Sequence, residues 1–141
     1  MIKMVFPVAI IVFSNVFYNL STKFTPSRAN SFLSLTVTYI TAAVLSFVSF
    51  LVTSNTKNLA AEFSKLNWTA FVLGITIIGL ELGYILLYRA GWKIGVGSLV
   101  ANITLACVLL IIGVFFFKEG ISIRQLLGMV ICVIGLIMIT K

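Results

Sequence analysis

Five stretches of this chain, at about residues 4–22, 31–53, 68–89, 94–117 and 123–140, are nearly free of charge and long enough to cross a bilayer. A helix needs about 20 mostly apolar residues for that, at a rise of about 1.5 Å each. In hydrocarbon every backbone N–H and C=O must find a partner within the protein, and a helix supplies one inside the segment itself. The five runs therefore predict an all-α integral membrane protein with five transmembrane helices. Composition agrees: 61% of the residues are hydrophobic and 9% charged, against about 45–50% and 25% in a soluble domain.

The breaks between the runs are short and polar: "STKFTPSRANS", "SNTKNLAAEFSKLN", "RAGWKIG" and "KEGIS". None has room for a soluble domain, so residues 1–141 are expected to form one transmembrane domain that works in or beside the bilayer. The N-terminal "MIKMVFPVAIIVF" resembles a secretory leader, with Lys3 as its basic end. The apolar run continues into "SNVFYNLS" without a small-x-small cleavage site, so it is expected to be the first membrane helix.

Several function classes find no residues to carry them. Ten Lys and Arg face three acids, but the basic residues stand singly between apolar runs and form no patch for nucleic acid. Cys107 and Cys132 lie inside apolar runs, and the chain has no histidine. No metal site, cofactor or nucleophile–base pair is expected, and no enzyme. The cysteines are expected to be small residues between packed helices.

Local signals sit at the helix ends and on two glycine faces. Ser122 followed by Gln125 is a capping box that starts the last helix, with Gly120 expected to free the turn before it and Glu119 to serve that turn. Gly128, Cys132 and Gly135 form a small-residue stripe suited to close helix approach, within the chain or in an oligomer. Gly79 and Gly83 make a second such pair.

Orientation in the membrane follows the distribution of Lys and Arg. With five spans, one side carries Lys3, Lys57, Lys65, Lys118 and Arg124; the other carries Lys23, Arg28, Arg89, Lys93 and Lys141. The balance is even, which points to insertion in both orientations. An odd number of helices inserted both ways yields an antiparallel homodimer, an inverted repeat made of two chains. Inverted repeats let a transporter exchange inward-open and outward-open states.

Glu81 is the one acid inside a run. It stands in "GLELGYILLYRAGW", about 20 Å along the third helix and so near the midplane. A charge there costs at least about 2.5–3.5 kcal/mol unless it meets a partner or a wet cavity. Tyr84 and Tyr88 follow at three and seven residues on the same face, while Gly79 and Gly83 centre on the opposite one. Glu81 is therefore expected to bind a proton and a substrate in turn, with Tyr84, Tyr88 and Tyr18 offering faces to an organic cation. Asn15, Tyr18, Asn19, Ser98 and Asn102 are further candidates for the site, and Ser14, Ser34, Thr38 and Thr41 could line the same cavity.

The run "GYILLYRAGWKIGVGSLVANITLACVLLIIGVFFFKEGISIRQLLGMVICVIGLIMI" resembles the end of an EamA-like repeat of the drug/metabolite transporter superfamily, and "FSNVFYNLSTKFTP" resembles that family's first helix and turn. Family members usually carry two five-helix repeats; one repeat per chain is what a dimer of inverted copies requires. The fourth run lacks the family's frequent proline, in "NITLACVLL". The related small multidrug resistance proteins keep an essential acid in their first helix, where this chain has none, so Glu81 would act from a different helix. The resemblance implies a multi-pass transporter of a prokaryotic plasma membrane, exporting organic cations or amine-bearing metabolites against protons. The alternatives are an uncoupled amino-acid or metabolite carrier and a non-transporting subunit for lipid-linked sugar translocation.

Overall fold

The computed structural model describes residues 2–54 and 58–140, with the side chains of residues 2–4 left aside. Lys57, Lys141 and the side chain of Lys3, three of the charges used for orientation, lie outside the described residues. The described residues form helices α1 (Ile2–Phe24), α2 (Ser31–Thr53), α3 (Leu59–Phe63), α4 (Trp68–Arg89), α5 (Ile94–Phe117) and α6 (Ile123–Thr140). Five of them, all but α3, are long and apolar enough to span a membrane. The last four of these coincide with the apolar runs, and α1 extends beyond its run at both ends. Without a proline in its middle, α5 is continuous.

Asparagine starts several of these helices. The Asn30 side chain accepts from the N–H groups of Phe32 at 2.9 Å and Leu33 at 3.2 Å, filling donors that the first turn of α2 leaves open. Asn67 accepts from the Thr69 N–H at 3.1 Å at the start of α4. Hydroxyl groups within the spans turn back on their own helices: Thr36 donates to Phe32 O at 2.8 Å, Thr41 to Val37 O at 2.9 Å and Thr76 to Val72 O at 2.8 Å. A hydroxyl so bonded can sit in hydrocarbon without an unmet donor.

The polar second break holds an element that apolar periodicity does not reveal. In "NLAAEF" the Asn58 side chain accepts from the Ala61 N–H at 3.3 Å and begins the single-turn helix α3, while Lys65 pairs with Glu62 at 2.7 Å. One capped turn of good helix formers suffices, although it is far too short to span. Leu59, Phe63 and Leu66 from this segment line an apolar hollow of about 330 Å³ with Phe47 and Phe50 of α2.

The turn into α6 contains both a confirmation and a correction. Ser122 N–H donates to Gln125 Oε1 at 2.9 Å and Gln125 N–H donates to Ser122 Oγ at 3.3 Å, the reciprocal bonds of a capping box. The left-handed residue before it is not Gly120 but Lys118, with φ of 53°. That conformation brings the N–H groups of both Lys118 and Glu119 onto Gly113 O. The carboxylate of Glu119 then lies against buried Gly113, where a Cβ would stand 2.7 Å from Oε2. Gly113, by lacking a side chain, makes the room. In the break before α5, Gly91 takes a φ of 94° that only glycine adopts freely.

The chain divides into two compact units, Met1–Arg89 and Ala90–Lys141. In the first, α4 packs on both α1 and α2; in the second, α5 packs on α6. Protein covers little of either: at most 6% of any spanning window is buried, and none of α6. Side chains such as Phe115, Phe116 and Phe117 are exposed to 78%, 81% and 73%. For an integral membrane protein this is the expected inside-out economy, because lipid tails are as apolar as the side chains they cover.

Candidate functional site

One face of α4 organises the first unit. Ile85 and Tyr88, four and seven residues after Glu81, are buried, as is Leu35 of α2. Asn19 of α1 is buried at 6% exposure and accepts a hydrogen bond from the Tyr88 hydroxyl, while its amide donates to Asn15 O at 2.8 Å. This pair satisfies two polar side chains across α1 and α4 that would otherwise be costly to bury. The Tyr18 ring meets Tyr84 edge-on at 5.5 Å, and Tyr84 lies 6.1 Å from Tyr88. Lys23 Nζ stands 5.6 Å from the centre of the Tyr88 ring.

Glu81 opens onto a cavity of about 120 Å³ between α1, α2 and α4. Tyr18, Ser21 and Thr22 of α1, with Thr25 just beyond it, form one wall; Ser34, Leu35 and Thr38 of α2 form another; Glu81 and Ile85 of α4 close it. Glu81 is only partly buried. Tyr39 of α2 is close enough to its carboxyl to interact with it electrostatically. The hydroxyls of Tyr18 and Tyr39 are buried and have no hydrogen-bond partner among the described residues. The cavity therefore gathers a titratable carboxyl and several hydroxyls inside a span, an arrangement able to accept a proton or a small cation.

At the end of α4, Arg89 fixes the wall of α1 and α2 next to this cavity. Its guanidinium donates to Ser31 Oγ at 2.8 Å, Pro26 O at 3.0 Å and Ala29 O at 2.7 Å. Those three acceptors span the turn from α1 into α2. The flat fork of donors of an arginine suits such a cluster of carbonyls better than a single ammonium would.

The sequence candidates fall into distinct places. Glu81 and Tyr18 line the cavity with Ser34 and Thr38. Tyr84, Tyr88 and Asn19 do not line it; they form the ring contacts and the hydrogen bond beside it. Asn15 contributes its carbonyl, and its side chain is exposed on α1 with Ser14. Thr41 is exposed on α2. Ser98 and Asn102 belong to the second unit, where the Asn102 amide donates to Ser98 O at 2.8 Å and Ser98 Oγ at 3.2 Å. A Cβ placed on Gly79, Gly83, Gly128 or Gly135 would meet no atom within 4 Å, so neither glycine face is packed within its own unit. Cys132 is exposed and lines an apolar hollow between α5 and α6 with Cys107.

Sequence reasoning missed Arg89 as a clamp, Tyr39, and the wall formed by Thr22 and Thr25. Tyr18, Thr22 and Thr25 do carry a signal, because steps of four and three place them on one helical face. It was hidden by the polar break, where hydroxyl residues read as loop. Nothing in the sequence distinguishes Arg89 from a basic residue at a span end.

The EamA-like transporter family matches residues 2–141. The chain belongs to the EamA-like transporter family. It is thus a membrane transporter of the drug/metabolite superfamily, with a small-molecule substrate and the lipid bilayer as its surroundings. No curated protein and no solved structure matches it at a significant level.

Proposed function

We propose that this EamA-like chain is a proton-coupled exporter of organic cations or amine-bearing metabolites, with Glu81 holding a proton and the substrate in turn. The observation that carries the reading is the placement of Glu81, the one acid within a spanning helix, on a hydroxyl-lined cavity between α1, α2 and α4. An ionisable group inside a membrane is expensive and marks a substrate or proton pathway by default. Protonated, the carboxyl is neutral and releases a cation. Ionised, it attracts one. Alternation between these states couples the two movements.

The whole chain acts in this reading as one five-helix repeat, and two copies inserted in opposite senses supply the inverted pair that alternating access requires. The even split of Lys and Arg supports such a dimer in a prokaryotic plasma membrane. The glycine faces Gly79/Gly83 and Gly128/Cys132/Gly135 suit close helix approach between copies, since each is unpacked within its own unit. Ser98 and Asn102 of α5 are available polar groups for the substrate path.

The test is transport in proteoliposomes under an imposed pH gradient, with the wild type and Glu81→Gln. Proton-driven movement of a cation that disappears in the Gln variant supports the exchanger. Gradient-independent movement that still needs Glu81 indicates an uncoupled carrier that recognises an ammonium group. No movement of any solute indicates a non-transporting subunit.

A further inference from the structure

We infer that the Glu81 cavity selects cations that carry N–H donors, primary ammonium groups above all, against quaternary ammonium groups. The inference rests on the reading of Glu81 as a cation-binding group and narrows its substrate class. Two independent features of the cavity support it.

The first is the state of its threonine hydroxyls. Thr22 donates to Tyr18 O at 2.7 Å, Thr25 to Ser21 O at 3.1 Å and Thr38 to Ser34 O at 3.0 Å. A hydroxyl has one hydrogen and two lone pairs. With the hydrogen committed to the helix backbone, each threonine presents only acceptor oxygen to the cavity. Beside them stands the Glu81 carboxylate, which when ionised only accepts. Ser21 and Ser34 can turn either way. Such a surface offers hydrogen bonds to a group rich in N–H donors, whereas a cation without them meets only the charge of the carboxylate.

The second feature is the absence of an aromatic cage. Quaternary ammonium groups are held by the open faces of several rings. Among the described residues Tyr18 is the one ring on the cavity wall. Tyr84 is engaged edge-on with Tyr18 and lies against Tyr88, while Lys23 Nζ already occupies the position over Tyr88.

Isothermal titration of the purified full-length chain with propylammonium and with propyltrimethylammonium, at a pH where the amine is charged, tests this. Propylammonium should bind at least about tenfold tighter, the equivalent of one charge-assisted hydrogen bond at about 1.4 kcal/mol. Thr38→Val keeps the shape and removes one acceptor, so it should weaken propylammonium several-fold and leave the trimethyl analogue unchanged. Equal affinities that both vanish in Glu81→Gln would overturn the selectivity and leave the cation-binding role of Glu81 standing. Displacement of propylammonium by an equal concentration of sodium would assign the oxygens to metal-ion coordination and overturn it as well. Binding that survives in Glu81→Gln, or no binding of either probe, would overturn the role of Glu81 and the inference together.

Discussion

Two polar side chains of the first unit, Tyr88 and Arg89, reach from α4 to another element, whereas Asn102, Ser122 and Gln125 of the second bond within the helix or turn that carries them. Tyr88 bonds to Asn19, and Arg89 bonds to the turn between α1 and α2. In the second unit, Asn102 bonds to Ser98 one turn earlier on α5, and Ser122 and Gln125 cap α6. In water this contrast would mean little. In a membrane it separates side chains that join helices through polar bonds from side chains whose polar bonds stay within one helix or turn. The cavity with Glu81 lies in the first unit.

The largest effect that would break this comparison is at Glu81. Glu81→Gln keeps size and hydrogen bonding but cannot titrate, so proton-driven transport should be lost while helix content and oligomeric state persist. With the wild type, apparent affinity for a cationic substrate should rise with pH as Glu81 ionises and then level off, because proton and substrate compete. A flat profile across that range would reduce Glu81 to a structural hydrogen-bonding residue.

An all-or-none outcome is also expected for orientation. Two lysines added at either end should tip the even charge balance and lock one orientation. Each locked form should be inactive alone, and co-expression of the two should restore transport. Full activity from one locked form would rule out antiparallel pairing.

Arg89 sharpens the comparison through stability. Arg89→Ala removes three hydrogen bonds from a charged donor, each worth about 1.5–3 kcal/mol at most. Because they share one side chain and are partly exposed, a total loss of roughly 2–4 kcal/mol is expected in denaturant unfolding. Arg89→Lys should recover only part of it, for want of the fork.

A smaller difference should separate the two units directly. Tyr88→Phe leaves the Asn19 oxygen buried without its donor and should cost about 1–2 kcal/mol. Asn102→Ala breaks bonds within one exposed helical turn and should cost less than about 0.5 kcal/mol. Equal costs would show that the second unit also depends on its polar side chains. The most local effect belongs to Ser122→Ala, about 1 kcal/mol or less at the start of α6, read as faster amide exchange confined to its first turn.

What the sequence determined by itself is whatever depends on neighbours along the chain. Span positions follow from uninterrupted apolar runs, because hydrocarbon admits little else, and four spans fall where those runs predict. The capping box is equally local, set by Ser122 and Gln125 alone. The isolation of Glu81 as the acid within a span is visible in the sequence for the same reason. The tertiary structure decided which groups meet. Tyr88 carries the same spacing from Glu81 as a cavity-lining residue would, yet it turns to Asn19, a partner 69 residues away. Arg89 looks like any basic span end until the turn containing Ala29 and Ser31 comes within 3 Å. Even the turn before α6 needed the fold, since the room for Glu119 comes from Gly113 and the left-handed residue is Lys118. Helical periodicity fixes the direction of a side chain about its own axis; only the packing of one helix on another fixes what that side chain finds there.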